Sequence, residues 1–237
     1  MQYFGGKVKI AKDLSLFLNQ YIKENNFKNF VDMFCGSCNI SSKINIEGTR
    51  YANDKHSYLI AMWESLQKGW IPPTVLTKEE YNFIKDNKDL NKALTGFVGF
   101  GCSFSGKWFG GFAKSGGRNY CLNAHNSIIK KLNNLKDVKF SNKDYKDFVL
   151  PEKSLIYCDI PYKDTTPYCK KEVGVFDHKE FYSWCETQKE KGHTILISEY
   201  AGNVPTKGKI LWSKCSKKDI RDIKGIQQKT TEVLFTL

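Results

Sequence analysis

The feature that most constrains this chain is an apolar run that ends directly in a glycine turn. Asn29-Phe30-Val31-Asp32-Met33-Phe34 reads as a buried strand, and Cys35-Gly36-Ser37 closes it. Strands buried on both faces lose the alternation of polar and apolar residues, and they belong to parallel sheets crossed by helices. After the turn, Asn39 has the chemistry of a helix cap, which predicts a helix to about Glu47. The same alternation then repeats. Arg50 to Asp54 reads as a second strand that ends in an acid, and a helix from His56 to about Gln67 follows.

Further on, Thr77-x-x-Glu80 and Asp177-x-x-Glu180 are capping boxes, the second opening a helix to about Lys191. Ser127 to Leu135 reads as helical. Val138 to Phe140, Ser154 to Cys158, His193 to Ser198 and Thr231 to Leu237 read as strands. These elements predict an α/β domain built of βαβ units around a mainly parallel sheet. No internal repeat or low-complexity tract interrupts them.

One stretch departs from the rhythm. From Thr95 to Gly117, glycine recurs at 96, 99, 101, 106, 110, 111, 116 and 117 among Phe97, Phe100, Phe104, Trp108, Phe109 and Phe112. Between Asn91 and Lys136 stand seven basic residues (Lys92, Lys107, Lys114, Arg118, Lys130, Lys131 and Lys136) and no acid. The expectation is a loop-rich insertion with a positive surface. The whole chain carries 37 basic against 25 acidic residues, a formal charge of +12, which suits a partner rich in phosphates. A surplus kept for solubility is the plainer reading of the same number. A second cluster (Lys214, Lys217, Lys218, Arg221, Lys224) fits a further phosphate contact or a solvated face.

Hydrophobic residues make up 41% of the 237, enough for a packed core. No apolar run approaches the roughly 20 residues of a membrane span, and Met1 to Lys7 carries no apolar signal region. The expectation is a soluble chain that acts in the cytoplasm, with no membrane partner. Its eight cysteines are expected as free thiols. Cys35-Gly36-Ser37-Cys38 has C-x-x-C spacing, but no second cysteine or histidine pair accompanies it, so no metal site is expected.

The strand, turn and helix start at Asp32 to Ser37 form the usual setting of a nucleoside site, because the backbone there can approach a ligand closely. Asp54, about twenty residues on, stands where a carboxylate accepts from ribose hydroxyls. G-x-G-x-x-G is absent, which disfavours a nicotinamide cofactor. Asp159-Ile160-Pro161-Tyr162, at the end of the fourth strand, offers different chemistry. An amino group on a base is a poor nucleophile, since its lone pair is delocalised into the ring. Acceptors that hold its two hydrogens favour a more tetrahedral nitrogen and aim it at an electrophile. Asp159 supplies one acceptor and the main-chain carbonyl of Ile160 a second, with Pro161 biasing residue 160 to an extended shape. Tyr162 supplies a flat face for a base drawn out of its stack.

These residues carry a resemblance. Asp159-Ile160-Pro161-Tyr162 resembles the Asp-Pro-Pro-Tyr motif of amino-methyltransferases acting on nucleic acid. Phe4-Gly5-Gly6-Lys7, Asp32-Met33-Phe34-Cys35-Gly36-Ser37 and Asn53-Asp54 resemble the corresponding motifs of Dam-type (α-group, D12 class) DNA adenine-N6 methyltransferases. The order of the motifs matches too and covers nearly the whole chain. The resemblance implies a Rossmann-like methyltransferase fold: a mainly parallel seven-stranded sheet, helices on both faces, and an inserted target-recognition region. It places the catalytic domain at 1–75 and 136–237 and the insertion at 76–135.

The resemblance also implies roles. Tyr3, Phe4, Gly5 and Lys7 would line the methionine end of S-adenosylmethionine, with Lys7 facing its carboxylate. Asp32, Phe34, Gly36 and Ser37 would form the methionine pocket, and Asp54 would hold the ribose. Asp144-Tyr145 resembles a pair that meets the cofactor's adenine, although a solvated loop acid reads almost as well. Asp159, Ile160, Pro161 and Tyr162 would bind the target adenine, with Asp159 also at the cofactor. Lys107, Lys114 and Arg118 would meet the phosphates of double-stranded DNA, and Trp108, Phe109 or Phe112 would wedge or stack. About half of those aromatics are expected to form a small core instead. Ile160 departs from the family's proline, which removes ring rigidity but keeps the carbonyl. The alternatives are an RNA adenine or DNA cytosine-N4 methyltransferase on the same fold, or a non-catalytic DNA-binding protein on a decayed scaffold. A companion restriction nuclease, a bacterial or phage source and the oligomeric state stay open.

Overall fold

The computed structural model describes residues 1–163, 170–221 and 227–237, with backbone alone at Lys170, 216–221 and 227–229. Seven strands form one sheet: β1 (Asn29–Asp32), β2 (Thr49–Asn53), β3 (Lys139–Ser141), β4 (Ser154–Cys158), β5 (Thr194–Tyr200), β6 (Lys209–Arg221) and β7 (Gln227–Thr236). Their spatial order is β3-β2-β1-β4-β5-β7-β6. The five strands from β3 to β5 run parallel, whereas β7 pairs antiparallel with both β5 and β6. The expected seven-stranded, Rossmann-like sheet is therefore present, and it is mixed at one edge.

Helices cover both faces, and the strand period of two decides which side chain meets which helix. Phe30, Leu155, Tyr157 and Leu196 point to one face, where α1 (Ala11–Glu24) buries Leu14, Leu18 and Ile22. Val31, Ile156, Cys158 and Ile197 point to the other, against Phe181 and Cys185 of α7 (His178–Glu190). Burying an apolar side chain in this way contributes about 1.5–3 kcal/mol each. A third cluster joins Ala52 of β2 to α2 (Ser57–Gln67), α3 (Lys78–Asp86), α4 (Lys92–Gly101) and α5 (Tyr120–Leu132). A single turn, α6 (Lys170–Val173), precedes α7.

One expectation is corrected here and another is refined. The helix from Asn39 to Glu47 is absent; only a 3-10 turn stands at Ser41–Lys43. The Asn39 side chain bonds Ser37 Oγ at 2.9 Å instead of capping, and the Ser41 hydroxyl bonds Asp32. Tertiary partners have taken the groups that would have started that helix. The glycine-rich stretch divides in two. As far as Gly101 it belongs to the helix Lys92–Gly101, whose Phe97, Val98 and Phe100 are fully buried. From 102 to 117 it is turn and loop, as expected, around a 3-10 turn at Phe104–Gly106. A Cβ at Gly96 would stand 2.1 Å from the Tyr58 carbonyl oxygen, so glycine lets α4 pack tightly on α2. At Gly99 the ring of Trp108 takes the equivalent space, 2.2 Å from such a Cβ. The helical glycines serve packing, while Gly106, Gly111, Gly116 and Gly117 turn the chain at positive φ.

Candidate active site

In a parallel sheet wound in two directions, ligands bind outside the carboxyl ends of the strands where the winding reverses. Here that point lies between β1 and β4, which are hydrogen-bonded neighbours. Asp32 ends β1 and Asp159 follows β4, so the two carboxylates flank the reversal. Asp54 follows β2 and Glu199 lies near the end of β5, while Glu232 stands on β7 opposite Tyr200. Five adjacent strands thus bring five acids to one edge of the sheet.

Crowding and burial shape the ionisation of the three aspartates. Burial pushes Asp32 up to about 7, aided by the charges of Asp159 and Asp54 and opposed by the Ser41 hydroxyl. Burial also raises Asp54 to about 6, against the amides of His56 and Gly36. Asp159 is likewise raised by burial, with Glu232 and Glu199 adding and Lys7 opposing. Lys7 is the only lysine among the buried described residues. Burial works against its charge, yet Asp159, Tyr157 and Glu232 together raise its pKa. Its Nζ lies 2.5 Å from Asp159 Oδ1 and 3.8 Å from Glu232 Oε2.

The tetrapeptide is held at each of its four residues. Asp159 takes the Lys7 ion pair, and the Ile160 side chain is buried in the core on the α7 face. His178 Nε2 donates to the Pro161 carbonyl at 2.8 Å. The Tyr162 hydroxyl donates to Glu232 Oε2 at 3.2 Å, and its ring lies 4.3 Å from Lys7 Nζ. The amide of Lys163, the next residue, donates to Glu199 Oε2 at 3.0 Å. Such fixing from several elements is what preorganised acceptors require.

The glycine turn lies across the β1–β4 junction. Gly36 has φ +45°, and a Cβ there would stand 2.9 Å from Tyr3 Cε1, so glycine allows the Tyr3 ring to lie on the turn. Gly36 N donates to Asp54 Oδ2 and His56 N to Asp54 Oδ1, both at 2.8 Å. Trp63 Nε1 donates to the Gly36 carbonyl at 3.0 Å, and Lys131 Nζ to the Ser37 carbonyl at 2.6 Å. A cleft lined by Tyr3, Lys7, Asp32, Phe34, Gly36 and Asp159 joins turn to tetrapeptide. The N-terminal segment is pinned beside it: Gly5 turns at φ +77° and Phe4 N donates to the Gly106 carbonyl at 3.0 Å.

Several sequence-predicted residues sit differently from expectation. Lys7 is directed at Asp159 rather than standing open to a cofactor carboxylate. Both oxygens of Asp54 already receive main-chain amides, so it fixes the glycine turn. Asp144 pairs with Lys55 at 2.9 Å. Tyr145 is buried among Phe34, Phe181 and Trp184. Lys107, Lys114 and Arg118 are exposed as expected. Phe109 is buried and Trp108 half-buried, the latter stacked on Tyr58 with its Nε1 2.7 Å from Glu172 Oε1. The exposed aromatic of this region is Phe104, 66% accessible. Of the C-terminal lysines and arginine, Lys214 pairs with Asp13, Lys224 lies outside the described residues, and so do the side chains of Lys217, Lys218 and Arg221.

Sequence reasoning missed Glu199 and Glu232. Glu199 was within reach, since it closes an apolar run as Asp54 and Asp159 do. Among the described residues no group of three His, Cys, Asp or Glu could hold a metal ion, and no helix is long and apolar enough to cross a membrane.

Comparison with known proteins reaches the motifs of the first part of the chain. Residues 3–94 match the family model of D12 class N6 adenine-specific DNA methyltransferases, which bears out the resemblance over that span and supports a methyltransferase. No curated protein matches the sequence. Among solved structures, a conserved hypothetical protein of Streptococcus pyogenes is similar at 10% identity, with 88% of this chain and 84% of that one covered (TM-score 0.33). An rRNA methyltransferase, aviRa of Streptomyces viridochromogenes, is similar at 10% identity over 98% and 85% of the two chains (TM-score 0.40).

Proposed function

We propose that the protein transfers a methyl group from S-adenosylmethionine to the exocyclic nitrogen of an adenine swung out of double-stranded DNA. The observation that carries this reading is the placement of the tetrapeptide. Asp159 to Tyr162 stands at the β1–β4 junction, joined by one cleft to the glycine turn. The match to D12 class methyltransferases over residues 3–94 supports it.

The residues of the cleft fit this cofactor. Its sulfonium and ammonium groups make it a net cation, and around the cleft carboxylates outnumber Lys7: Asp32 and Asp159 line it, and Asp54 holds the glycine turn beside it. Gly36, lacking a Cβ, lets the Tyr3 ring close on the turn at the border of the cleft. Asp32, Phe34, Gly36 and Ser37 would hold the methionine part with Tyr3, Phe4 and Gly5, and Asp54 the ribose. Asp144 and Tyr145 would border the adenine. When bound, the cofactor supplies a methyl on an already activated leaving group.

The chain's own residues do the rest. Asp159 and the Ile160 carbonyl accept from the two hydrogens of the amino group and orient its lone pair. A methylated nitrogen must then shed a proton, and Asp159, whose pKa burial raises, is placed to take it. A base would stack on the Tyr162 ring, which the Lys7 ammonium already meets at 4.3 Å. Lys107, Lys114 and Arg118 meet phosphates, as expected from the sequence, while the aromatic wedge passes from Trp108 and Phe109 to the exposed Phe104. In this reading 76–135 is the target-recognition region, although its helices share a core with α2.

Labelled cofactor and adenine-containing duplex DNA test the reading. Transfer should appear in wild type and vanish in Asp159→Ala; equal counts in both would sink it. Digestion to nucleosides identifies the base, and an RNA duplex run in parallel separates the substrate class.

A further inference from the structure

We propose that Glu232, on the antiparallel strand β7, is a positioning residue of the transfer site, seating Tyr162 and sharing Lys7 with Asp159. The inference rests on the function proposed above for Asp159 to Tyr162. None of the sequence motifs includes Glu232, and only the pairing of β7 with β5 brings it to the site.

A carboxylate beside Val233 and Leu234, both buried, costs desolvation energy unless it is well partnered. Glu232 has two partners at the tetrapeptide. The Tyr162 hydroxyl donates to its Oε2 at 3.2 Å, and Lys7 Nζ stands 3.8 Å from the same oxygen. Its strand neighbour Tyr200 sets a ring edge-on to Tyr162, with centroids 4.6 Å apart. The plane of the Tyr162 ring is therefore fixed at its hydroxyl by Glu232, at its face by Lys7 and at its flank by Tyr200. A ring that is to receive a base needs that orientation before the base arrives.

Glu232 also acts on Asp159 through charge. Lys7 faces Asp159 as a cation, and the carboxylates near it are Asp32, Asp54, Glu199 and Glu232. Tyr157, Tyr162, Tyr200 and Cys158 surround it as neutral acids. The Glu232 charge raises the Asp159 pKa and the Lys7 charge lowers it. Lys7 lies between the two carboxylates, so loss of the Glu232 charge leaves Asp159 with the lysine and one repulsive neighbour fewer. Asp159 then becomes the stronger acid.

Two variants separate this role from simple packing. Glu232→Gln keeps the size and an acceptor for Tyr162 but loses the charge; Glu232→Ala loses both. Carboxyl-carbon NMR of the cofactor-free protein, with Asp159→Asn for assignment, follows the titration of Asp159. Its midpoint should fall in both variants, and the acid limb of the single-turnover methylation rate should move down with it. In Glu232→Ala the rate at saturating DNA should also drop by about tenfold to a hundredfold with little change in KM. An Asp159 midpoint equal to wild type in both variants, with circular dichroism unchanged, overturns the proposal. If wild type methylates no duplex at all, the functional reading fails, while the titration still decides the role of Glu232.

Discussion

Lys7 and Asp159 are 152 residues apart in sequence and 2.5 Å apart in space, and their ion pair is the joint between the N-terminal segment and the end of β4. Both side chains are largely withdrawn from water, at 5% and 20% exposure. Removing one partner of a buried pair leaves the other charge uncompensated, at a cost of about 3–5 kcal/mol. Lys7→Met should therefore lower unfolding free energy by about 3 kcal/mol in urea titrations at neutral pH. Because Lys7 holds the Asp159 pKa down, the same change should push the acid limb of activity to higher pH. A Lys7→Met protein as stable as wild type would show that the pair adds nothing net.

The buried acids and His56 should give stability opposite dependences on pH. Asp32 near 7 and Asp54 near 6 lie above the roughly 3.9 of an unfolded aspartate. Between those values the folded chain binds more protons than the unfolded one, so their contribution is full at low pH and lost as pH rises through 6 to 7. Burial drops His56 to about 4, against roughly 6.5 unfolded, among the rings of Tyr58, Phe100 and Trp108. Its contribution is present above that unfolded value and lost as pH falls through 4. Melting temperatures across the acid-to-neutral range should decline less toward neutral pH in Asp32→Asn. They should decline less toward acid in His56→Phe. Profiles parallel to wild type in both variants would refute the assignment.

Gly36→Ala tests the turn. Its φ of +45° costs an L-residue about 1–2 kcal/mol, and the new methyl would press on Tyr3 Cε1. Urea unfolding should show a loss at or above that range, and calorimetry should show weakened binding of S-adenosylmethionine. Tyr3→Ala in the same chain should recover part of the stability, since it removes the obstacle but leaves the strained φ. Full additivity of the two changes would mean that the ring and the glycine do not meet.

The buried parallel strands were legible in the sequence because burial on two faces leaves a continuous apolar run, as at Leu155 to Cys158. Asp32, Asp54 and Asp159 at their ends were legible for the same reason, whereas Glu199 in β5 was passed over. Helix α1 was missed although Leu14, Leu18 and Ile22 repeat at helical spacing, because no side chain caps its start at Ile10. Strand β6 was missed because an edge strand rich in lysine and serine resembles a solvated segment. Glu232 could not be read at all: its meaning comes from the antiparallel return of β7 beside β5. The aromatics near Gly99 misled for the opposite reason. Glycine beside tryptophan suggests a flexible loop, yet the space left at Gly99 is where the Trp108 ring packs.

That packing divides the aromatics of the basic region into two kinds, with different consequences for stability and DNA binding. Phe104 projects from a firmly held turn: its amide donates to the Gly111 carbonyl at 2.8 Å, and Tyr81 Oη and Ser103 Oγ are 2.8 Å apart behind it. Little of its ring is buried, so Phe104→Ala should change stability by no more than about 0.5 kcal/mol. A ring that stacks on bases is worth about 1–3 kcal/mol, so the same variant should bind duplex DNA roughly tenfold more weakly. Phe109→Ala empties a buried site against Tyr81 and Trp108 and should cost about 3 kcal/mol of folding stability. Lys114→Ala and Arg118→Ala should each reduce the slope of log affinity against log salt by about 1, with stability unchanged. Urea unfolding and fluorescence anisotropy over a salt series measure all four. If Phe104→Ala binds DNA as wild type does while the lysine and arginine variants lose affinity, the region meets phosphates alone and carries no wedge.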